Sequence, residues 1–287
     1  MPSLIDIRRR IRSVKNTQQI TKAMKMVSAA KLRKAQERVI ASRPYAKILE
    51  NILANVAAAA AGSDERVMSH PLLARRVEKR VQMILMTSDR GLAGAFNGNL
   101  IKGATTFAAE HPGVQITYEL VGRKGRDYFR RRDASVTGEH IGVFNKVQLA
   151  DARTISRNVS ERFAKGETDA VYLIYNEFKS VVSQKITLKK LLPMTLPAGA
   201  STIDYIYEEP PDQLLGSLLP NYVENAIFSA MLESCSSEHA ARMTAMDAAS
   251  SNAAEVIEKL TLYMNRVRQA SITKEIIEVV SGAAALE

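Results

Sequence analysis

The chain has one cysteine, Cys235, in 287 residues, and its four histidines, His70, His111, His140 and His239, are scattered. Intrachain disulfides and clustered metal ligands are therefore excluded, and a reducing compartment is expected. No uninterrupted apolar run reaches the ~18 residues that a membrane span needs, so the chain reads as soluble. The Arg-rich start, MPSLIDIRRRIRSVK, lacks the apolar core and small-residue cleavage site of a targeting segment and reads as mature sequence.

Glycine and proline are just as telling where they are missing. Between Ser3 and Ala61 there is no glycine and one proline, Pro44; between Asn221 and Ser281 there is neither. Eleven of the fourteen glycines fall between Gly91 and Gly199, so the ends predict long helices and the middle a punctuated domain.

The first helix begins with Ser3 and Asp6 at capping-box spacing. Ile7, Ile11 and Val14 then share a face, followed by Ile20, Met24 and Val27, and Pro44 predicts a kink or weak point. Pro210, Pro211 and Asp212 suit the start of the second helix. Its predicted seam is Val256, Leu260, Tyr263, Val267 and Ala270, and seven alanines among residues 240–254 would let a second helix approach closely. At about 1.5 Å per residue, the stretch from Asn221 to Ser281 would span roughly 90 Å. Such a helix must pair with another or lie inside a partner.

Charge points to the mate. Residues 1–60 hold 13 Lys/Arg against 3 Asp/Glu, a net +10, whereas residues 209–287 hold 5 against 11, a net −6. An antiparallel coil between the two ends is the simplest geometry, although a basic segment equally fits an acidic partner surface or nucleic acid.

In the middle, VQMILMT (81–87), ITYELVG (116–122) and AVYLIYN (170–176) read as strands, and 100–110, 125–132 and 147–165 as amphipathic helices. This alternation implies a small, mostly parallel sheet. The expected class is α/β: a long antiparallel coiled coil of the terminal helices plus a central Rossmann-like α/β domain. The expected divisions are 1–70, 75–205 and 209–287.

No motif assembles an active site. In MTSDRGLAGAFNGNL (86–100) the spacing of Gly91, Gly94 and Gly98 fits neither a phosphate loop nor a dinucleotide fingerprint, and there is no nucleophile elbow. The stretch reads as a strand-to-helix turn with Asn97 or Asn99 as cap. GRKG (122–125) resembles the basic loop of an RNA-binding KH module, but a solvated turn is the simpler reading. Glu208 and Glu209 suit a helix flank, and Cys235 a small residue on a helix face. Met24, Met26, Met243, Met246 and Met264 suit helix packing.

Four segments together, IRRRIRSVKNTQQITKAMKMVSAAKLRKAQ (7–36), TSDRGLAGAFN (87–97), SEHAARMTAMDAASSNA (237–253) and NRVRQASITKEIIEVVSGAAA (265–285), closely resemble the γ-subunit family of F-type ATP synthases, the central rotor shaft. Where the family usually has Cys-Gly after Gly-Leu, this chain has Ala93 and Gly94, then Ala95. Thiol regulation through that loop is not available, and the cysteine insertion of the chloroplast relatives is absent.

The resemblance implies a non-catalytic rotor subunit without cofactor or metal, coupling proton-driven c-ring rotation to ATP synthesis or hydrolysis at β-subunit sites. Implied partners are the α and β subunits of the catalytic hexamer, an ε subunit and the c-ring, with an additional inhibitor subunit left open. Membrane contact is only through the complex, at the cytoplasmic face of a bacterial inner membrane, and nucleic acid is no partner. Contacts that catch the α/β ring are implied at Arg242, Arg268, Gln269 and Thr273, with Met24 and Lys25 beside them. Ile272, Ile276, Val279 and Val280 would form the apolar bearing tip, and Tyr205 and Glu208 would meet the c-ring or ε. Two competing readings are a basic coiled-coil nucleic-acid binder, disfavoured by the acidic last helix, and an α/β enzyme with helical arms, which no motif supports.

Overall fold

The computed structural model describes residues 3–61, 70–181, 183–195 and 211–284. Two compact units divide it: Met1–Ala29 with Arg242–Glu287, and Ala30–Ala241. Helix α1 (Leu4–Ala61) and helix α5 (Pro211–Ala284) each contribute to both units. α1 runs through Pro44 and α5 through Pro220.

In the larger unit the chain forms β1 (Arg80–Met86), α2 (Phe96–Glu110), β2 (Gln115–Val121), α3 (Arg123–Arg130), β3 (Val136–His140), α4 (Leu149–Ala164), β4 (Ala170–Phe178) and β5 (Gln184–Leu192). The sheet order is β3-β2-β1-β4-β5, parallel except for the antiparallel β4–β5 pair. The three strands read from sequence are its centre. The two it missed are its edges, where burial is one-sided and the apolar signal thins: VTGEH is short and polar, and QKITLKKLL carries three lysines.

β1 shows why a central strand is apolar throughout. Val81, Met83 and Leu85 pack into one core with Phe96, Leu100, Ala104 and Phe107 of α2, while Ile84 and Met86 face a second core on the opposite side. That second core holds Ile155, Val159 and Phe163 of α4 and a stripe of α5, Leu215, Leu219, Val223 and Ile227. The four-residue steps of this stripe make α5 amphipathic here, so its first part is integral to the α/β unit.

In the smaller unit the helices pair antiparallel. Gln18 Nε2 donates to Ser250 O (3.3 Å), Thr21 Oγ1 and Ser250 Oγ lie 2.7 Å apart, and Lys25 Nζ is 2.6 Å from Asp247 Oδ1. Two sequence expectations change. On α1, Ile7, Ile11 and Val14 do turn inward, but Ile20 and Val27 are 60% and 56% exposed and Thr21 and Ser28 are buried in their place. On α5 the covered positions are Met246, Ser250, Ala253, Ile257, Leu260, Met264 and Val267, so Val256, Tyr263 and Ala270 lie one residue off the seam. Two 4–3 ladders sharing Leu260 and Val267 are equally apolar in sequence, and the partner helix selects between them.

The expected cap at Ser3 is present: Asp6 N donates to Ser3 Oγ (3.2 Å) and Ser3 N to Asp6 Oδ2 (3.3 Å). Ser3 Oγ also donates to Asp6 Oδ2 (2.8 Å), and this bond, with the one from Ser3 N, holds the Asp6 carboxyl below its ordinary value. The expected cap at Asn97 or Asn99 is not. Ala95 is the N-cap of α2, and the Asn97 side chain is bonded elsewhere.

Candidate functional site

The loop after β1 is built as a structural tie. Asn97 Oδ1 accepts from Ser88 N (2.9 Å), and Ser88 Oγ donates to Arg90 O (2.6 Å). The Asp89 carboxylate accepts from the backbone N–H groups of Arg123 and Gly142, each at 3.1 Å. Thr87 Oγ1 donates to Val121 O (3.1 Å) and accepts from Gly125 N (2.8 Å). Thr87 and Asp89 are thus bonded to backbone at the ends of β2 and β3, and Ser88 ties the loop to the first turn of α2.

GRKG has a steric explanation. Gly122 sits at φ 93°, and a Cβ there would lie 1.9 Å from Thr87 O; one on Gly125 would lie 2.9 Å from Thr87 Oγ1. Both glycines are required by close approach to Thr87.

Three polar features escaped the sequence reading. Glu119, 1% exposed, accepts from Gln82 Nε2 (3.1 Å) and Thr137 Oγ1 (2.8 Å) and meets His140 Nε2 at 2.7 Å. This buried network ties β1, β2 and the edge strand β3. Asp169 accepts from Arg80 Nη2 (2.8 Å), Arg80 N (2.8 Å) and Lys79 N (3.2 Å), and the Arg80 bonds hold its carboxyl below the usual range.

The third lies on α5. Ser234 Oγ donates to Met86 O (3.4 Å) and Ser237 Oγ to Asn176 O (3.1 Å), while Glu233 accepts from Phe178 N (3.0 Å) and faces Arg43 of α1 at 3.3 Å. One turn and a half of α5 thereby grips the carboxyl ends of β1 and β4. The run SCSSE (234–238) was its only signal: small polar residues within a helix, buried because they bond to a sheet edge. Cys235 beside them is buried, with Sγ 3.7 Å from His239 Nε2.

The residues assigned by resemblance fall at two levels of the smaller unit. Arg242 is 8% exposed, Met24 and Lys25 are half-buried, and Lys25 is bonded to Asp247. Arg268, Gln269 and Thr273 are exposed 26 to 31 residues further along α5 than Arg242, roughly 40 Å at helical rise. The coil therefore brings Met24 and Lys25 to the level of Asp247, and not beside Arg268. Ile7 faces Leu260 and Tyr263 across a groove of about 410 Å³, so α5 continues well past the start of α1. On that overhang Ile272, Ile276, Val279 and Val280 are 49–72% exposed at i, i+4, i+7 and i+8, a single stripe. Tyr205 and Glu208 lie outside the described residues.

Among the described residues no three His, Cys, Asp or Glu side chains group as metal ligands, and no helix is long and apolar enough to cross a membrane. The geometry defines a class of protein: an α/β domain gripped by two terminal helices that pair as an antiparallel coil and end in an unpaired apolar helix tip. The family model described as ATP synthase matches residues 3–286. The chain is 67% identical over 287 residues to the ATP synthase gamma chain of Solibacter usitatus, and 50% over 290 residues to that of Pelotomaculum thermopropionicum, with full coverage of all chains. The chain belongs to the ATP synthase γ-chain family. Among solved structures, the central stalk and c-ring structure of Tetrahymena thermophila mitochondrial ATP synthase holds a chain 26% identical at TM-score 0.62, covering 80% of this chain and 99% of that one. A chain of the Euglena gracilis mitochondrial enzyme, 20% identical, shares the fold at TM-score 0.66, covering 99% and 94%.

Proposed function

We propose that this chain is the central-stalk rotor of an F-type ATP synthase, coupling proton-driven c-ring rotation to ATP synthesis or hydrolysis at the β subunits while making no bond itself. The observation that carries the reading is the overhang of α5. An unpaired helix with an apolar stripe is stable only inside a sleeve, and the α/β hexamer supplies one.

The rest of the chain suits torque. Paired helices without internal glycine over residues 4–61 resist bending, and the grip of Glu233, Ser234 and Ser237 on the strand ends passes rotation between domain and helix. In this reading residues 1–70 and 209–287 are the shaft and 75–205 the α/β domain, and Tyr205 and Glu208, at and just after its end, meet the ε subunit and c-ring. Arg268, Gln269 and Thr273, with Arg242, Met24 and Lys25 at a second level, make polar contacts to the ring that break and re-form in steps. Ile272, Ile276, Val279 and Val280 turn in the apolar bearing. The chain is peripheral, at the cytoplasmic face of a bacterial inner membrane, held there by the complex, with an additional inhibitor subunit as a further partner in some states.

The test is to tag the chain, solubilise its native membranes gently and identify what co-purifies. Recovery of α, β, an ε-like subunit and the c-ring, with nucleotide hydrolysis by the assembly and none by the isolated chain, supports the reading. Recovery of nucleic acid, or an activity of the chain alone, overturns it.

A further inference from the structure

Helix α1 carries two stripes that compete for the interior of the coil. The inward one passes through Val14, Thr21 and Ser28; the outward one, one residue earlier, holds Ile20 and Val27. A roll of α1 by ~100° about its own axis, the angle of one helical residue, would exchange them. At the level of residues 20–28 apolar burial favours the exchange, because Ile and Val would replace Thr and Ser, whereas Ile7, Ile11 and Val14 nearer the start of the helix favour the phase observed.

Hydrogen bonds oppose it. Thr21 Oγ1 and Ser250 Oγ meet at 2.7 Å inside the coil, with Gln18 O at 3.0 Å from the first and Met246 O at 2.8 Å from the second, within reach of whichever hydroxyl is not donating across the interface. Gln18 Nε2 donates to Ser250 O, and Lys25 reaches Asp247 one turn further on. A rolled α1 would break the contacts across the coil and leave the Ser250 hydroxyl its bond to Met246 O alone, with its acceptor side against hydrocarbon and the bond to Thr21 lost. We infer that Thr21 and Ser250 are positioning residues that set the rotational phase of α1 in the coil and keep the stripe of Ile20 and Val27 outward. A single polar layer fixing the alignment of a coil at some expense in stability is an established use of such residues. In the rotor reading this phase decides which face of α1 the sleeve meets, but the phase itself belongs to the isolated chain.

The test uses the full-length chain with Cys235→Ala and one reporter cysteine, either Ile20→Cys or Ser28→Cys, timed against a maleimide. With Thr21 and Ser250 intact, position 20 reacts quickly and position 28 slowly. In the Thr21→Ala/Ser250→Ala background the order is expected to invert, with position 20 slowing at least tenfold and position 28 quickening by a similar factor. Thr21→Ser with Ser250 intact, which keeps both hydroxyls, should retain the first pattern. Rates at both positions within twofold of the original, with helical circular dichroism unchanged, overturn the proposal. So does fast labelling at both, which would mean that the pair only holds the coil closed. If the double variant does not fold, Ser250→Ala alone carries the same prediction and the same two overturning results.

Discussion

Asp169 and Arg80 form a two-point contact, with Arg80 Nη2 and Nε donating to the carboxylate at 2.8 and 3.3 Å while the Arg80 and Lys79 amides donate to Oδ2. The guanidinium is half exposed, but the Asp169 side chain is nearly enclosed, so the carboxylate anchors the starts of β1 and β4 through backbone groups. Asp169→Asn places an amide against two backbone donors and is expected to lower stability by about 1–3 kcal/mol, read from denaturant unfolding. Because the folded-state pKa of Asp169 is depressed, its contribution is present above the ordinary carboxylate range. It is lost as pH falls through the folded value, so Asp169→Asn should flatten the acid limb of the stability profile.

Gly122 and Gly113 both have left-handed φ, 93° and 96°, but only the first is crowded. A Cβ at 122 would overlap Thr87 O, whereas one at 113 meets nothing within 4 Å. Gly113→Ala should cost about 1 kcal/mol, the strain of the backbone alone. Gly122→Ala should abolish accumulation of folded chain. The yield of folded chain for both variants, with a thermal melt of whichever accumulates, checks the contrast, and equal effects would rule out the Thr87 contact as its cause.

Tyr172 and Tyr175 are pushed up to about 12, each first by burial, then Tyr172 by its bond to Glu78 and Tyr175 by the nearby Glu177 and Glu233 carboxylates. A folded-state pKa raised above the unfolded value near 10 gives stability that is whole below pH ~10 and is lost as pH rises through about 12. Absorbance at the phenolate band should therefore show two late-ionising tyrosines. Tyr172→Phe removes one of them.

The apolar stripe on the overhang of α5 is exposed, at 49–72%. Changing Ile272, Ile276, Val279 and Val280 to Ser together should leave the melt of the α/β unit within about 0.5 kcal/mol, as for surface positions, while reducing recovery of α and β subunits with the tagged chain. Arg268→Ala/Gln269→Ala/Thr273→Ala should assemble normally yet impair coupled synthesis or hydrolysis. Unchanged rates in an intact complex would remove those three from the catch.

Long helices, their polarity, the central strands and the family were legible from residues, because each depends on local rules: breakers absent, a capping box at Ser3 and Asp6, β-rich runs around 81–87, 116–122 and 170–176. The edge strands were not legible, since VTGEH and QKITLKKLL are exposed on one side and owe their conformation to pairing with β2 and β4. Nor was the contact of Asn97 with Ser88, where a residue that suits a helix cap found a better partner nine positions away.

The sequence determined by itself that two breaker-free, oppositely charged helices flank an α/β domain, since periodicity and charge act along the chain. Tertiary structure alone decided which of two interleaved stripes on each helix turns inward, that Thr21 and Ser250 meet, that Glu119 is buried beside His140 and that Ser234 grips the end of β1. Each of those depends on which group stands opposite once residues far apart in the chain are packed together, and no local pattern encodes what a side chain will face.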